Sequence, residues 1–209
     1  MTNRGKVSET SGGRLQLIQK LKLEKSVSLS VGSSTTRIAT VNIDVSMRCT
    51  PDVVADALYL PFISGTFEEV VFTDVIEHIH PRLEQSAMRE IRRVLSNGGR
   101  LLISTPNDKN IYVALDPSRW LTGHRHYSPT SIIKLLERGD FHVQTVFTSG
   151  GVFAMFGVIW HSIITWPFKR IFQNDLPYSP SFLRKRESDE YLHSTPKEGY
   201  SIFAVANRD

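Results

Sequence analysis

The chain has 209 residues, 40% hydrophobic and 22% charged, with a formal net charge of +4. That is an ordinary soluble globular balance with enough length for one domain with a full core, and it leaves a second compact domain unexpected. Lys and Arg are scattered, and the densest cluster, Arg184-Lys185-Arg186, is followed at once by Glu187, Asp189 and Glu190, which argues against nucleic-acid binding.

The first 14 residues, MTNRGKVSETSGGR, are polar and lack an apolar signal region, so residues 1–14 are expected to be a mobile arm. LQLIQKLKLEK at 15–25 predicts a short helix. Residues 26–31 alternate Ser with Val and Leu, a strand pattern that ends at Gly32. Residues 41–45, 52–57 and 67–73 predict three more strands. Pro81 to Leu95 is the clearest helix: Pro81 suits its first turn, and Leu83, Ala87, Ile91 and Leu95 recur every four residues on one face. Asn97-Gly98-Gly99 is expected to stop it, because glycine tolerates the left-handed conformation of a helix end.

RLLIST at 100–105 predicts a fifth strand, closed by Pro106. Ser128-Pro129 looks like the cap and first turn of a helix carrying Ile132, Ile133, Leu135 and Leu136, which stops at Gly139. Phe141 to Thr148 and Tyr200 to Ala206 complete the strands. This alternation implies an α/β fold whose sheet is mostly parallel, with helices on both faces. The single Cys49 cannot form an internal disulfide, so a cytoplasmic setting is expected.

VFAMFGVIWHSIITWPF at 152–168 breaks the rhythm: it is nearly all apolar, yet short for a membrane span. On a helical wheel Phe153, Phe156, Trp160, Ile163 and Ile164 form a bulky stripe. Ala154, Gly157, His161, Ser162 and Thr165 form a small or weakly polar one. A core or dimer-interface helix, a lid over an acceptor site and a helix lying in a membrane surface are all open readings. Residues 173–198, rich in Pro, Ser and charge, are expected to form a long loop.

In open α/β sheets, ligands sit beyond the carboxyl ends of the strands. The loop 32–36, Asp44, Asp56 and the run Thr73 to His78 fall there. A loop at a strand end can offer backbone N–H groups to an anion, and a carboxylate at the next strand end can accept both hydroxyls of a ribose. Taken singly, Asp44 and Asp56 could equally be acids that end strands and begin turns. His78-x-His80 and His124-x-His126, with Asp74 and Glu77 near the first pair, leave open a metal-dependent hydrolase.

NIDVS, DVVADALYLPF, FEEVVFTDVIEH and REIRRVLSNGGRLLISTPN, taken together, resemble the S-adenosylmethionine-dependent methyltransferases of the Rossmann-like class, particularly their type 11 group. HRHYSPTSIIKLLERGDF at 124–141 is similar to that family's next helix and sixth strand. The resemblance implies a seven-strand-type sheet and S-adenosylmethionine as cofactor. It implies that Asp44 binds the ribose and Asp56 the adenine, with Ala57 and Leu58 flanking the ring. Thr73 and Asp74 would line the methionine side.

LSVGSSTT at 29–36 aligns with a family pattern of the form LDVGCGTG, in which Gly32 persists while Ser30, Ser34 and Thr36 replace the acid and two glycines. Gly32, Ser33 and Ser34 would supply donors to the cofactor. Gly32 and Asp44 are too close in sequence for a loop, helix and strand, which implies a shortened first βαβ unit. The function implied is methyl transfer to a small or amphiphilic acceptor, with His78, His124 and His126 the candidate bases. The alternative is a methyltransferase-like binding or scaffold domain without cofactor. Peripheral membrane or dimer contact through 152–168 is the partner surface the sequence offers.

Overall fold

A computed structural model describes residues 12–23, 26–165, 167–168, 179–193 and 198–209. They group into two compact units. The first comprises the described residues of 21–106, 127–147 and 202–209; the second comprises those of 12–20, 107–126 and 148–201.

Seven strands form one sheet: β1 (Ser28–Val31), β2 (Val41–Asp44), β3 (Val53–Val54), β4 (Phe67–Thr73), β5 (Leu95–Pro106), β6 (Phe141–Ser149) and β7 (Ser201–Arg208). Their order is β3-β2-β1-β4-β5-β7-β6. The pairings β1–β2, β1–β4, β2–β3 and β4–β5 are parallel. The carboxyl ends of the first four strands therefore share one edge, where the chain of crossovers reverses direction around β1. Leu29, Ile43, Val70, Phe72, Leu101 and Ile103 are buried in this sheet. Each such side chain contributes on the order of 1.5–3 kcal/mol.

Helix α2 (Glu84–Val94) buries Ala87, Met88, Ile91 and Val94. Pro81–Leu83 is a separate 3₁₀ turn, held by His80, whose Nδ1 accepts from the Arg82 amide at 3.3 Å. The Asn97-Gly98-Gly99 stop proves to be something else. The helix ends at Val94, and the glycines lie inside β5, where the register against β4 jumps between Phe67 and Glu69. Gly98, at φ +71°, makes that bulge possible.

Helix α5 (Pro129–Arg138) begins with a capping box. Ser128 Oγ accepts from the Ser131 amide at 3.1 Å, and Ser131 Oγ accepts from the Ser128 amide at 2.9 Å.

The second unit contains α1 (Gly13–Leu21, reaching one residue beyond it), α3 (Asn110–Leu115), α4 (Pro117–Thr122), α6 (Val152–Trp160) and α7 (Ser181–His193). The apolar segment is helical to Trp160 and continues as a π-turn over His161–Thr165. Within the expected loop 173–198, residues 181–193 are helix, which corrects that reading; residues 173–178 and 194–197 lie outside the described residues. Glu190 of α7 caps α6, its carboxylate accepting from the amides of Gly151, Phe153 and Ala154 at 2.9–3.1 Å. Residues 1–11, most of the expected arm, also lie outside the described residues, and Gly13 and Arg14 belong to α1.

Candidate functional site

At the shared carboxyl edge of β1 to β4 lies a cavity of about 470 Å³. β1 delivers Val31 and Gly32 to it, β2 Asp44, the end of β3 Ala55 and Asp56, and the end of β4 Asp74. Its apolar wall includes Ala57, Leu58, Val75 and Ile79.

The β1–β2 connection contains no helix, and Asn42 organises it. Its buried Oδ1 accepts from the amides of Ile38 and Ala39, and its Nδ2 donates to the Ala39 carbonyl and to Asp52 Oδ2. The Asn42 amide also donates to Asp52 Oδ2 at 2.8 Å. Asp52 is held below the usual carboxylate range, first by the Arg37 guanidinium and then by Asn42. A side chain thus folds a loop that a helix would otherwise fill, which is the physical content of the shortened unit.

Within that loop the Ser33 amide donates to the Ile43 carbonyl at 2.9 Å, and the Ser34 amide donates to Asp44 Oδ2 at 2.9 Å. The other oxygen, Asp44 Oδ1, accepts from the Ser46 amide at 2.9 Å. Each carboxylate oxygen retains a lone pair for a ligand hydroxyl. Ser34 sits at φ +49° and Gly32 at φ +69°. The loop therefore keeps a glycine-type backbone at Ser34, although serine stands there. A Cβ on Gly32 would fall 2.4 Å from Val75 Cγ2, so only glycine fits against β4's outgoing turn.

Asp56 is exposed and its Oδ1 accepts from the Leu58 amide at 2.9 Å, a turn that presents Ala57 and Leu58 to the cavity. The following LPF run is fastened by α2. Glu90 accepts from the Leu60 amide, and Arg93 donates to the carbonyls of Leu60 and Phe62. A salt bridge, Arg93 Nε to Glu90 Oε1 at 2.8 Å, aligns both groups. This is why LPF and REIRRVL occur together in the sequence.

Asp74, at φ +55°, turns the chain out of β4 and donates its amide to the Ser104 carbonyl. His78 and His80 line the cavity, while buried Glu77 points away and accepts from Thr105 Oγ1 at 3.1 Å.

Of the eight cofactor candidates, Gly32, Ser34, Asp44, Asp56, Ala57 and Asp74 line the cavity. Ser33 is buried beneath the loop and Thr73 is half-buried at the strand end; neither lines it. His124 and His126 belong to the second unit, where His126 Nε2 lies 3.1 Å from Asp116 Oδ2 with both side chains buried. Among the described residues no group of three His, Cys, Asp or Glu is placed to hold a metal ion. Val31, Val45, Ala55 and Ile79 escaped the sequence reading because an apolar residue at or after a strand end carries no chemical signature.

Residues 25–103 match a family described as a methyltransferase domain, and the cavity is formed wholly within that stretch. The stretch that builds the cavity is thus similar to a methyltransferase domain. Over 49 residues it is 43% identical to a methyltransferase-type protein of Encephalitozoon cuniculi, a match covering 23% of each chain. Over 59 residues it is 36% identical to a protein of Methanocaldococcus jannaschii of uncharacterized function, covering 28% of this chain and 25% of that one. The chain thus matches about a quarter of the length of these curated relatives.

Three solved structures share the fold of the chain. A methyltransferase of Thermotoga maritima superposes with TM-score 0.62 at 14% identity, covering 94% of this chain and 88% of that one. One of Archaeoglobus fulgidus gives 0.61 at 14%, covering 93% and 91%. An enzyme described as a [4+2]-cyclase, SpnF, gives 0.61 at 17%, covering 94% and 80%. At these identities the likeness establishes the fold alone, and the cyclase illustrates that the fold does not fix the reaction.

Proposed function

We propose that the domain binds S-adenosylmethionine and directs methyl transfer to a small or amphiphilic acceptor. The observation that carries this reading is Asp44, held in the cavity by the amides of Ser34 and Ser46 with acceptor capacity to spare. Its place after β2 suits a ribose, and Asp56 with Ala57 and Leu58 suits an adenine amino group and ring. Gly32, Ser34 and Asp74 suit the methionine side, whereas Ser33 and Thr73, which do not line the cavity, are assigned no contact.

The cofactor supplies a methyl group activated by its sulfonium. The protein has to align the acceptor with that carbon and exclude water, and no protein nucleophile is required. Where the acceptor is a hydroxyl or amine, we assign His78, the candidate histidine that lines the cavity, to take its proton. His124 and His126 are assigned no step.

One feature favours the second reading, a scaffold domain without cofactor: Ser30, where the family pattern has an acid, is buried in β1. Thermal unfolding with S-adenosylhomocysteine decides between them. At ~100 times its dissociation constant the ligand adds about 2.7 kcal/mol to a domain that binds it. No shift at millimolar ligand would leave the scaffold.

A further inference from the structure

The apolar segment is packed the opposite way from a core helix. Its small stripe is turned inward, with Ala154, Gly157 and Thr165 buried. Most of its bulky stripe is turned outward: Phe156 is 48% exposed and Ile163 60%, with Phe153 and Ile164 exposed beside them and Trp160 half-buried. Neighbouring elements of the same unit extend it. α4 packs on the π-turn and shows Trp120, 75% exposed; α7 packs on α6 and shows Phe182, 71% exposed. Isolated exposed apolar residues are ordinary, but six large ones on three adjoining elements are not.

Among the described residues, the exposed charge on these helices is mostly basic. On α4, α6 and α7 the exposed ionic side chains are Arg119, Lys185 and Arg186, against a single acid, Asp189. Three further acids on or beside these helices are withdrawn from the surface or hydrogen-bonded to backbone. Glu190 caps α6, Glu187 is buried, and Asp116 is buried beside His126. Arg119 lies over the Trp120 ring at 5.9 Å, pairing a cation with an aromatic plane. No described helix is long and apolar enough to cross a membrane, so the stripe suits the boundary between headgroups and acyl chains.

We propose that this outward stripe and its basic rim form a docking surface for an anionic lipid bilayer. Phe153, Phe156, Ile163 and Ile164 enter the acyl boundary, while Arg119, Lys185 and Arg186 meet lipid phosphates. The surface belongs to the second unit and is independent of whether the cavity binds a cofactor.

The test is co-sedimentation of the full chain with phosphatidylcholine vesicles, with and without phosphatidylglycerol. Binding is expected only where phosphatidylglycerol is present, falling as salt is raised. The double variant Lys185→Glu/Arg186→Glu should weaken it by about tenfold or more. Phe156→Ser/Ile163→Ser should abolish it while circular dichroism shows an unchanged fold. Absence of binding to phosphatidylglycerol vesicles, or binding indifferent to both variants, overturns the proposal. So does a lipid-free dimer that Phe156→Ser/Ile163→Ser dissociates, since a second copy would then cover the stripe.

Discussion

The backbone amide of Ser34 donates to Asp44 Oδ2 at 2.9 Å, joining the loop after β1 to the carboxylate after β2. With the Ser46 amide on Oδ1, the carboxylate ties together both turns that border the cavity. Charge-assisted bonds of this kind contribute about 1.5–3 kcal/mol when buried, and less at a half-exposed edge. Asp44→Ala is therefore expected to lower unfolding free energy by roughly 1–3 kcal/mol while the fold persists. Affinity for S-adenosylhomocysteine by calorimetry should fall at least tenfold, about 1.4 kcal/mol. Equal affinity in the variant would remove Asp44 from the site.

Ser34 is held at φ +49°, where a residue with a Cβ loses about 1–2 kcal/mol. Glycine relieves that but adds about 0.5–1 kcal/mol of unfolded-chain entropy. Ser34→Gly is expected to raise stability by up to about 1 kcal/mol in urea unfolding. By opening the backbone to the cavity it should also tighten S-adenosylhomocysteine binding. A destabilised variant would mean that the Ser34 side chain supports the loop.

Gly32 admits no side chain, because φ is +69° and Val75 Cγ2 would lie 2.4 Å from the added carbon. Gly32→Ala should cost about 2–4 kcal/mol, from left-handed strain together with overpacking. Adding Val75→Ala should recover the overpacking share and leave the strain. Additive losses in the double variant would show that Val75 is not what excludes the methyl group.

These effects mark where sequence and structure part. The buried stripe of α2 and the Ser128 cap of α5 were legible because each is local: a four-residue recurrence, and a serine before proline. Asp44 and Asp56 were legible as strand ends. Asn97-Gly98-Gly99 was not, since a positive-φ glycine serves a strand bulge as readily as a helix stop, and only the pairing with β4 selects one. Helix α7 was hidden because Leu183, Glu187 and Tyr191 form its buried face, and a glutamate in that row breaks the apolar signal. The short helices α3 and α4 have six residues each, too few for a period to emerge. The glycine-like backbone at Ser34 leaves no trace in a side chain that could equally sit in an ordinary turn.

Glu187 supplies the pH dependence. Burial pushes its carboxyl up to about 7, opposed by the Arg14 charge, reinforced by Glu190 and again opposed by Arg184. It is 7% exposed, and Oε2 has no hydrogen-bond partner among the described residues. The folded state thus holds this proton more tightly than the unfolded chain, whose glutamate titrates near 4.5. The stabilisation is complete below about pH 4.5 and is lost as pH rises through about 7, a change of roughly 3 kcal/mol. Glu187→Gln keeps the shape without the titration. In urea unfolding it should match the parent chain near pH 4.5 and exceed it by roughly 2–3 kcal/mol at pH 8. Curves that stay parallel across that range would show that Glu187 keeps the same pKa on unfolding, and that Arg14 compensates the buried charge in full.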